Sequence, residues 1–203
     1  EITDNQGHKT KIEYDLLNHE IRRTAPDGSV TRSFYNQNGL LAKQVQPNQY
    51  DIQTDDGEGY QYTYDHQGNI VSVVGPDGHV LQTNVYDGDG RLLQQLDAVQ
   101  SGASFTYDLA GNRVHIETTG GATQQLEYDA HGNIVGVVDG NHNRTRYRLD
   151  EWGRIIGILK PDESTESYTY DFAGNMTSST DGEGHTTQYE YNVAGQVRAI
   201  IDP

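Results

Sequence analysis

Apolar and polar residues alternate in short runs along the 203-residue chain, and a fixed motif spaces the runs. In Tyr60-Gln61-Tyr62-Thr63-Tyr64 every second residue is aromatic, and Ile70-Val71-Ser72-Val73-Val74 follows after a polar stretch. Period two puts successive side chains on opposite faces, so these runs predict β-strands, with little or no helix. The exit runs Ile134 to Val138 and Ile155 to Leu159 read the same way.

Aligning the chain on Tyr-Asp with Gly three positions after the Asp exposes an internal repeat. The anchors are Tyr14, Tyr35, Tyr64, Tyr86, Tyr107, Tyr128, Leu149, Tyr170 and Tyr191. They are 21, 29 and 22 residues apart and thereafter 21. The next residue is always Asp or Asn, and Gly follows at Gly39, Gly68, Gly90, Gly111, Gly132, Gly153, Gly174 and Gly195; only Asn18 departs. Asp at the first position of a type I turn and Gly at the fourth suit that turn, with Gly left-handed at the closing bulge. Asp65-His66-Gln67-Gly68 and its counterparts are therefore predicted hairpin tips.

Residues two before the anchor are apolar or aromatic in seven of nine units, and those one before are polar or charged in seven of nine. The exceptions are the units of Tyr35 and Tyr86, where Ser33-Phe34 and Asn84-Val85 reverse the order. These units bound the region where the period breaks, so an altered register or bulge is predicted in both strands. The additional residues of the long spacing fall between Lys43 and Tyr60, where Tyr50-Asp51 lacks the Gly and is not read as an anchor. A second turn recurs between units at Pro26-Asp27-Gly28, Asp56-Gly57-Glu58-Gly59, Pro76-Asp77-Gly78, Asp139-Gly140, Pro161-Asp162 and Asp181-Gly182-Glu183-Gly184. An isolated hairpin is marginal in water, so the units must stack to bury their Tyr/Ile/Val face. The expected architecture is all-β: one array of about nine stacked antiparallel hairpins, irregular near 43–60. The pattern runs to both ends without a cap, which reads as a section of a longer protein.

Composition changes the picture in two ways. Leu, Ile, Val and Phe make up about one residue in five, and 14 Lys+Arg against 30 Asp+Glu leave a net charge of −16. Taken alone, those values border on disorder. The 14 Tyr, and 23 Gly against 5 Pro, point instead to many short strands and tight turns. No signal peptide opens the chain and no apolar run could span a bilayer as a helix. The acidic charge argues against nucleic acid or membrane surfaces as partners. With no Cys there is no disulfide framework and no thiolate site.

Four units carry the motif in its fullest form: Tyr64-Asp65-His66-Gln67-Gly68-Asn69, Tyr107-Asp108-Leu109-Ala110-Gly111-Asn112, Tyr128-Asp129-Ala130-His131-Gly132-Asn133 and Tyr170-Asp171-Phe172-Ala173-Gly174-Asn175. With the lead-in Asp181-Gly182-Glu183-Gly184-His185-Thr186-Thr187-Gln188-Tyr189-Glu190-Tyr191, this resembles the RHS/YD-repeat family along essentially the whole chain. The resemblance implies bacterial polymorphic toxins, Tc-type complexes and type VI effectors among them, with the animal teneurins as relatives. It implies a repeat spiral, forming a hollow β-shell around a toxic C-terminal segment, in an exported, extracellular protein. The implied partners are neighbouring repeats, that toxin segment and proteins of the secretion apparatus. No catalytic aspartate is carried over.

Candidate chemistry is sparse. Asp at the same place in every unit is explained by the turn, so neither catalysis nor a cofactor is expected. Asp87-Gly88-Asp89-Gly90 invites calcium, but no known calcium-loop spacing is present. The eight His have no zinc spacing, and His66 and His131 fall at variable turn positions. The Tyr ladder could stack sugars in an adhesion or carbohydrate-binding module, although its register favours packing between hairpins with the hydroxyls partnered. Arg144, Arg146 and Arg148 form a basic strand too small to outweigh the acidic charge. Unpaired edge strands at both ends predict self-association.

Overall fold

The structure, a computed structural model, describes all residues from Glu1 to Pro203. It comprises two compact units, Glu1–Ser104 and Phe105–Pro203. Unit 1 contains β1 (Ile2–Thr3), β2 (Lys9–Tyr14), β3 (Glu20–Thr24), β4 (Val30–Tyr35), β5 (Leu41–Val45), β6 (Tyr50–Asp51), β7 (Asp56–Gly57), β8 (Tyr60–Tyr64), β9 (Ile70–Val74), β10 (Val80–Tyr86), β11 (Leu92–Asp97) and the start of β12 (Gly102–Tyr107). Unit 2 contains the end of β12, then β13 (Arg113–Thr118), β14 (Thr123–Tyr128), β15 (Ile134–Asp139), β16 (Arg144–Leu149), β17 (Ile155–Leu159), β18 (Thr165–Tyr170), β19 (Met176–Thr180), β20 (Thr186–Tyr191) and β21 (Val197–Ile201). There is no helix, so none is long and apolar enough to cross a membrane.

In unit 1 the strands pair antiparallel in chain order, except that β5 pairs β8. The intervening residues form a separate two-stranded hairpin, β6 with β7. In unit 2, β13 to β21 likewise pair antiparallel in chain order. One irregularity recurs: the register shifts between the residue before the anchor and the anchor itself, as at Phe34/Tyr35, Thr63/Tyr64, Glu127/Tyr128 and Thr169/Tyr170. The anchor then pairs with the residue two beyond the turn Gly, Tyr35 with Leu41 and Tyr128 with Ile134. A bulge at this place in each repeat steepens the local twist.

One expectation holds in part and another is corrected. Ser33 and Asn84 are buried, at 8% and 7% exposure, on the face of their anchors, with the same register shift as at Tyr14, Tyr64, Tyr128, Leu149, Tyr170 and Tyr191. A bulge is thus present in both strands as expected, but other units share it, so it does not explain the reversed order: the inner face of β10 is polar because Asn84 is hydrogen-bonded, its Nδ2 donating to Ile70 O at 2.8 Å. The 22-residue spacing instead arises from a further shift between Val80 and Gln82, at the start of β10. By contrast, Asp56-Gly57-Glu58-Gly59 is no turn. Asp56–Gly57 is β7, neither Gly has a positive φ, and the bend lies before it, with Asp55 at φ 52. Tyr50-Asp51 opens this side hairpin and bears no anchor in the main sheet.

Both sheets are thin. The accessible surface is 13485 Å², against roughly 9,500 Å² for a compact monomer of this mass. Only Val30 and Val45 are buried hydrophobic residues. Val45 is fully buried because the side hairpin covers it: a Cβ on Gly57 would lie 3.1 Å from Val45 Cγ1. The low apolar content thus builds a wall with one half-buried face rather than a thick core.

Candidate functional site

Each hairpin tip is the same five-residue turn. In Asp65–Asn69 the Asp N–H donates to Asn69 O at 3.0 Å and Gly68 N–H to Asp65 O at 3.2 Å, with Gly68 at φ 90. The carboxylate closes the loop: Asp65 Oδ1 accepts the N–H groups of Gln67 and Asn69, both at 2.9 Å, and Oδ2 accepts Asn69 Nδ2 at 2.9 Å. Asp129 and Asn133 repeat this, and Asp108–Asn112 and Asp171–Asn175 make the same amide-to-carboxylate bond. The fifth residue need only donate: Arg91 and Arg154 do so through Nε, and His19 through Nδ1. The turns between units follow the same plan, with His142, Gln100 and Glu163 in the left-handed position where no Gly stands.

The anchor tyrosines tie successive hairpins together. The hydroxyl of Tyr35 donates to Glu20 O at 3.0 Å, Tyr64 to Leu41 O at 2.7 Å, Tyr128 to Arg113 O at 2.8 Å, Tyr170 to Ile155 O at 3.0 Å and Tyr191 to Met176 O at 2.8 Å. Each acceptor is the residue two beyond the turn Gly (Asn18 in the first unit) of the preceding hairpin. In the unit of Tyr86, whose leading strand carries the additional bulge, Asn84 reaches the equivalent carbonyl. Sequence reasoning foresaw partnered hydroxyls. It missed the role of the fifth turn residue, although a donor recurs there as Asn, Arg or His. It also missed that His8, His19 and His185 each contact a turn carboxylate. His66 and His131 are exposed.

The electrostatics follow the turns. The closing Asn amide, aided by its backbone N–H, holds the carboxyls of Asp65, Asp108, Asp129 and Asp171 below the usual Asp value. The backbone N–H of His19 and then its ring do the same for Asp15. Folded values below the unfolded one mean that this stabilisation is complete above the unfolded pKa, near 3.9, and is lost as pH falls through the folded values. Thermal melts should therefore hold a steady midpoint from pH 7 to 5 and drop below about pH 4. Acidification also relieves the repulsion of the acidic chain. A midpoint that rises at pH 3 would show that repulsion dominates and the turns contribute little.

The acidic turn that invited calcium is partly neutralised, Asp87 and Asp89 sharing Arg91 at 2.7 and 2.9 Å. No group of three His, Asp or Glu is placed to hold a metal ion. Tyr168 is pushed up to about 12 by its hydrogen bond to Glu166 and by burial, so its phenol stays protonated near neutrality.

Residues 128–165 and 170–203, about a third of the chain, match the family described as RHS Repeat. The fold is similar to a crystal structure of TcdB2-TccC3-Cdc42, with a TM-score of 0.73 and 18% identity over 96% of this chain and 13% of that one. The segments 128–165 and 170–203 are RHS repeats. The fold also resembles TcdB2-TccC3-TEV, with a TM-score of 0.73 and 16% identity over 99% of this chain and 13% of that chain. A Photorhabdus luminescens Tc holotoxin pore with a variant TccC3 gives 0.65 and 13% over 94% of this chain and 14% of that one. At such identities the likeness carries the fold, and the chain spans about an eighth of those chains. Comparison with curated proteins gives no sequence match.

Proposed function

We propose that the nine motif-bearing units act as a single array. The array forms part of an RHS β-shell that encloses a C-terminal toxin segment of its parent polypeptide and helps deliver it. The observation that carries this reading is the interlock: seven tips closed on an Asp carboxylate and two on an Asn amide oxygen, and five anchor hydroxyls bonded to the preceding hairpin. Such a wall is rigid without a second layer, as an enclosure requires. Its role on this reading is structural rather than catalytic, in an exported, extracellular protein. The partners are neighbouring repeats, the enclosed segment and the secretion apparatus. The one-sided edges of β1 and β21 also favour self-association.

Limited proteolysis of the parent polypeptide tests this. The segment downstream of the repeats is expected to resist protease while the array is folded and to become cleavable once it is unfolded. A segment fully cleavable with the complete array present sinks the shell reading. An adhesion or sugar-binding role has one observation in its favour: Trp152 and Phe172, 65% and 105% exposed, flank a depression shared with Arg154 and Tyr170. Binding on a glycan array that Trp152→Ala removes would favour it.

A further inference from the structure

The outer face of unit 1 shows what this fold does with a cluster of cations. Arg22 and Arg32 are direct cross-strand partners on β3 and β4, a like-charge pair. The side hairpin resolves it. Asp55 Oδ2 accepts Arg32 Nε at 3.1 Å, Asp55 Oδ1 lies 3.7 Å from Arg22 Nη1, and Asp56 Oδ1 lies 2.8 Å from Lys43 Nζ. The two adjacent carboxylates serve one basic patch, and Gly57 packs behind them on Val45.

The hairpin of β16 and β17 repeats that face in the same register. Arg146 pairs with Leu159 as Arg32 pairs with Val45, and Arg148 with Gly157 as Phe34 with Lys43. Here nothing covers it. Arg146, Arg148, Gly157 and Leu159 line an open depression of about 330 Å³ together with Glu166, whose carboxylate is committed to Lys160 and Tyr168. Arg148 lies across Gly157, its Nε 3.4 Å from where a Cβ would stand, so the absent side chain seats the guanidinium. Glu127, opposite Gly136 on the flanking strands, is committed to Arg144 at 2.5 Å. Ten of the fourteen Lys and Arg side chains form ion pairs. Arg146 and Arg148 have none, and both are exposed in a chain with more than two carboxylates per cation.

We propose that the Arg146–Arg148 depression on β16–β18 is a docking site for an acidic polypeptide loop from outside this chain. The loop carries two adjacent carboxylates, seated as Asp55 and Asp56 are seated on Arg32 and Lys43. The partner is defined by charge complementarity and by the covered copy of the same surface in unit 1. Leu159 supplies the apolar floor that Val45 supplies there.

The test uses the full chain and a fluorescent peptide of the sequence Tyr50–Gly57, followed by anisotropy at low ionic strength. Saturable binding is expected. The double variant Arg146→Gln/Arg148→Gln should weaken it by about tenfold or more, as loss of charge-assisted hydrogen bonds does. Arg198→Gln, at an exposed arginine without an ion pair, should leave it unchanged, and a peptide with Asn at both acidic positions of the Asp55-Asp56 pair should bind at least as weakly as the double variant binds the acidic one. Equal affinity in the double variant, its fold checked by circular dichroism, overturns the proposal. So does binding of inorganic phosphate at these arginines without binding of the peptide. Self-association that the double variant abolishes, with no peptide binding, would replace the partner by a second copy and equally overturn it.

Discussion

Gly102→Ala is expected to destabilise the protein by about 2–4 kcal/mol, because the new methyl has nowhere to go. A Cβ built on Gly102 lies 1.9 Å from Gln95 O and 3.0 Å from Leu96 Cα, both backbone atoms. Gln95 is held in the ladder by its pairing with Ala103, so the strand can yield only by giving up the register of β11 with β12. Gly57 meets the same obstacle, 1.9 Å from Gln49 O. The control is Gly88→Ala in a hairpin tip, where no atom lies within 4 Å and φ is not positive. That change should be neutral or stabilise by about 0.4–1 kcal/mol, through the lost freedom of the unfolded chain. Thermal melts separate the two: about 4–16 °C down for Gly102→Ala, unchanged or slightly up for Gly88→Ala. A Gly102→Ala protein melting within a degree or two of the parent would show that the strand shifts at little cost.

The contrast also shows what the sequence could reveal. The tips were legible because a local rule, Asp first and Gly fourth, specifies them within five residues, and alternation specified the flanking strands. Gly57 and Gly102 answer to a different constraint, the close approach of a backbone carbonyl (Gln49 in the turn before β6, Gln95 in β11), and leave no local sign. Gly57 therefore reads as a turn residue when it lies in a strand. Arg22 and Arg32 pair across two strands, and Asp55, which joins them, is 23 residues beyond Arg32; no window along the chain holds all three. Arg144, Arg146 and Arg148 were visible as a basic strand. That Arg144 is paired while its two neighbours are not depends on Glu127, two strands away. Ser33 and Asn84 misled because alternation scores a side chain by polarity, whereas Asn84 is buried with its amide bonded.

Replacing the five bonded anchors together, Tyr35, Tyr64, Tyr128, Tyr170 and Tyr191 to Phe, is expected to cost roughly 5 kcal/mol, about 1 kcal/mol for each hydrogen bond. Phe retains the ring and its half-buried area, so the change isolates the hydroxyls. The bonds join different pairs of hairpins, and separated sites of this kind add closely. Water can reach some of these carbonyls, which lowers the cost at the more exposed Tyr170 and leaves it highest where the ring is better covered. Two anchors serve as internal references. Tyr14 is 53% exposed and its hydroxyl bonds no carbonyl, so Tyr14→Phe should be silent. Leu149 already lacks the hydroxyl, so Leu149→Tyr should stabilise if its ring reaches the carbonyl of Ile134, the place equivalent to Arg113 and Ile155. In a repeat array the loss is felt at interfaces between units before it is felt within them. Hydrogen exchange should therefore rise first at Glu20, Leu41, Ile155 and Met176 and their ladder partners, while the Asp-closed tips stay protected. If the fivefold variant melts within about 2 °C of the parent, the hydroxyls do not lock the hairpins and strand pairing alone holds the wall.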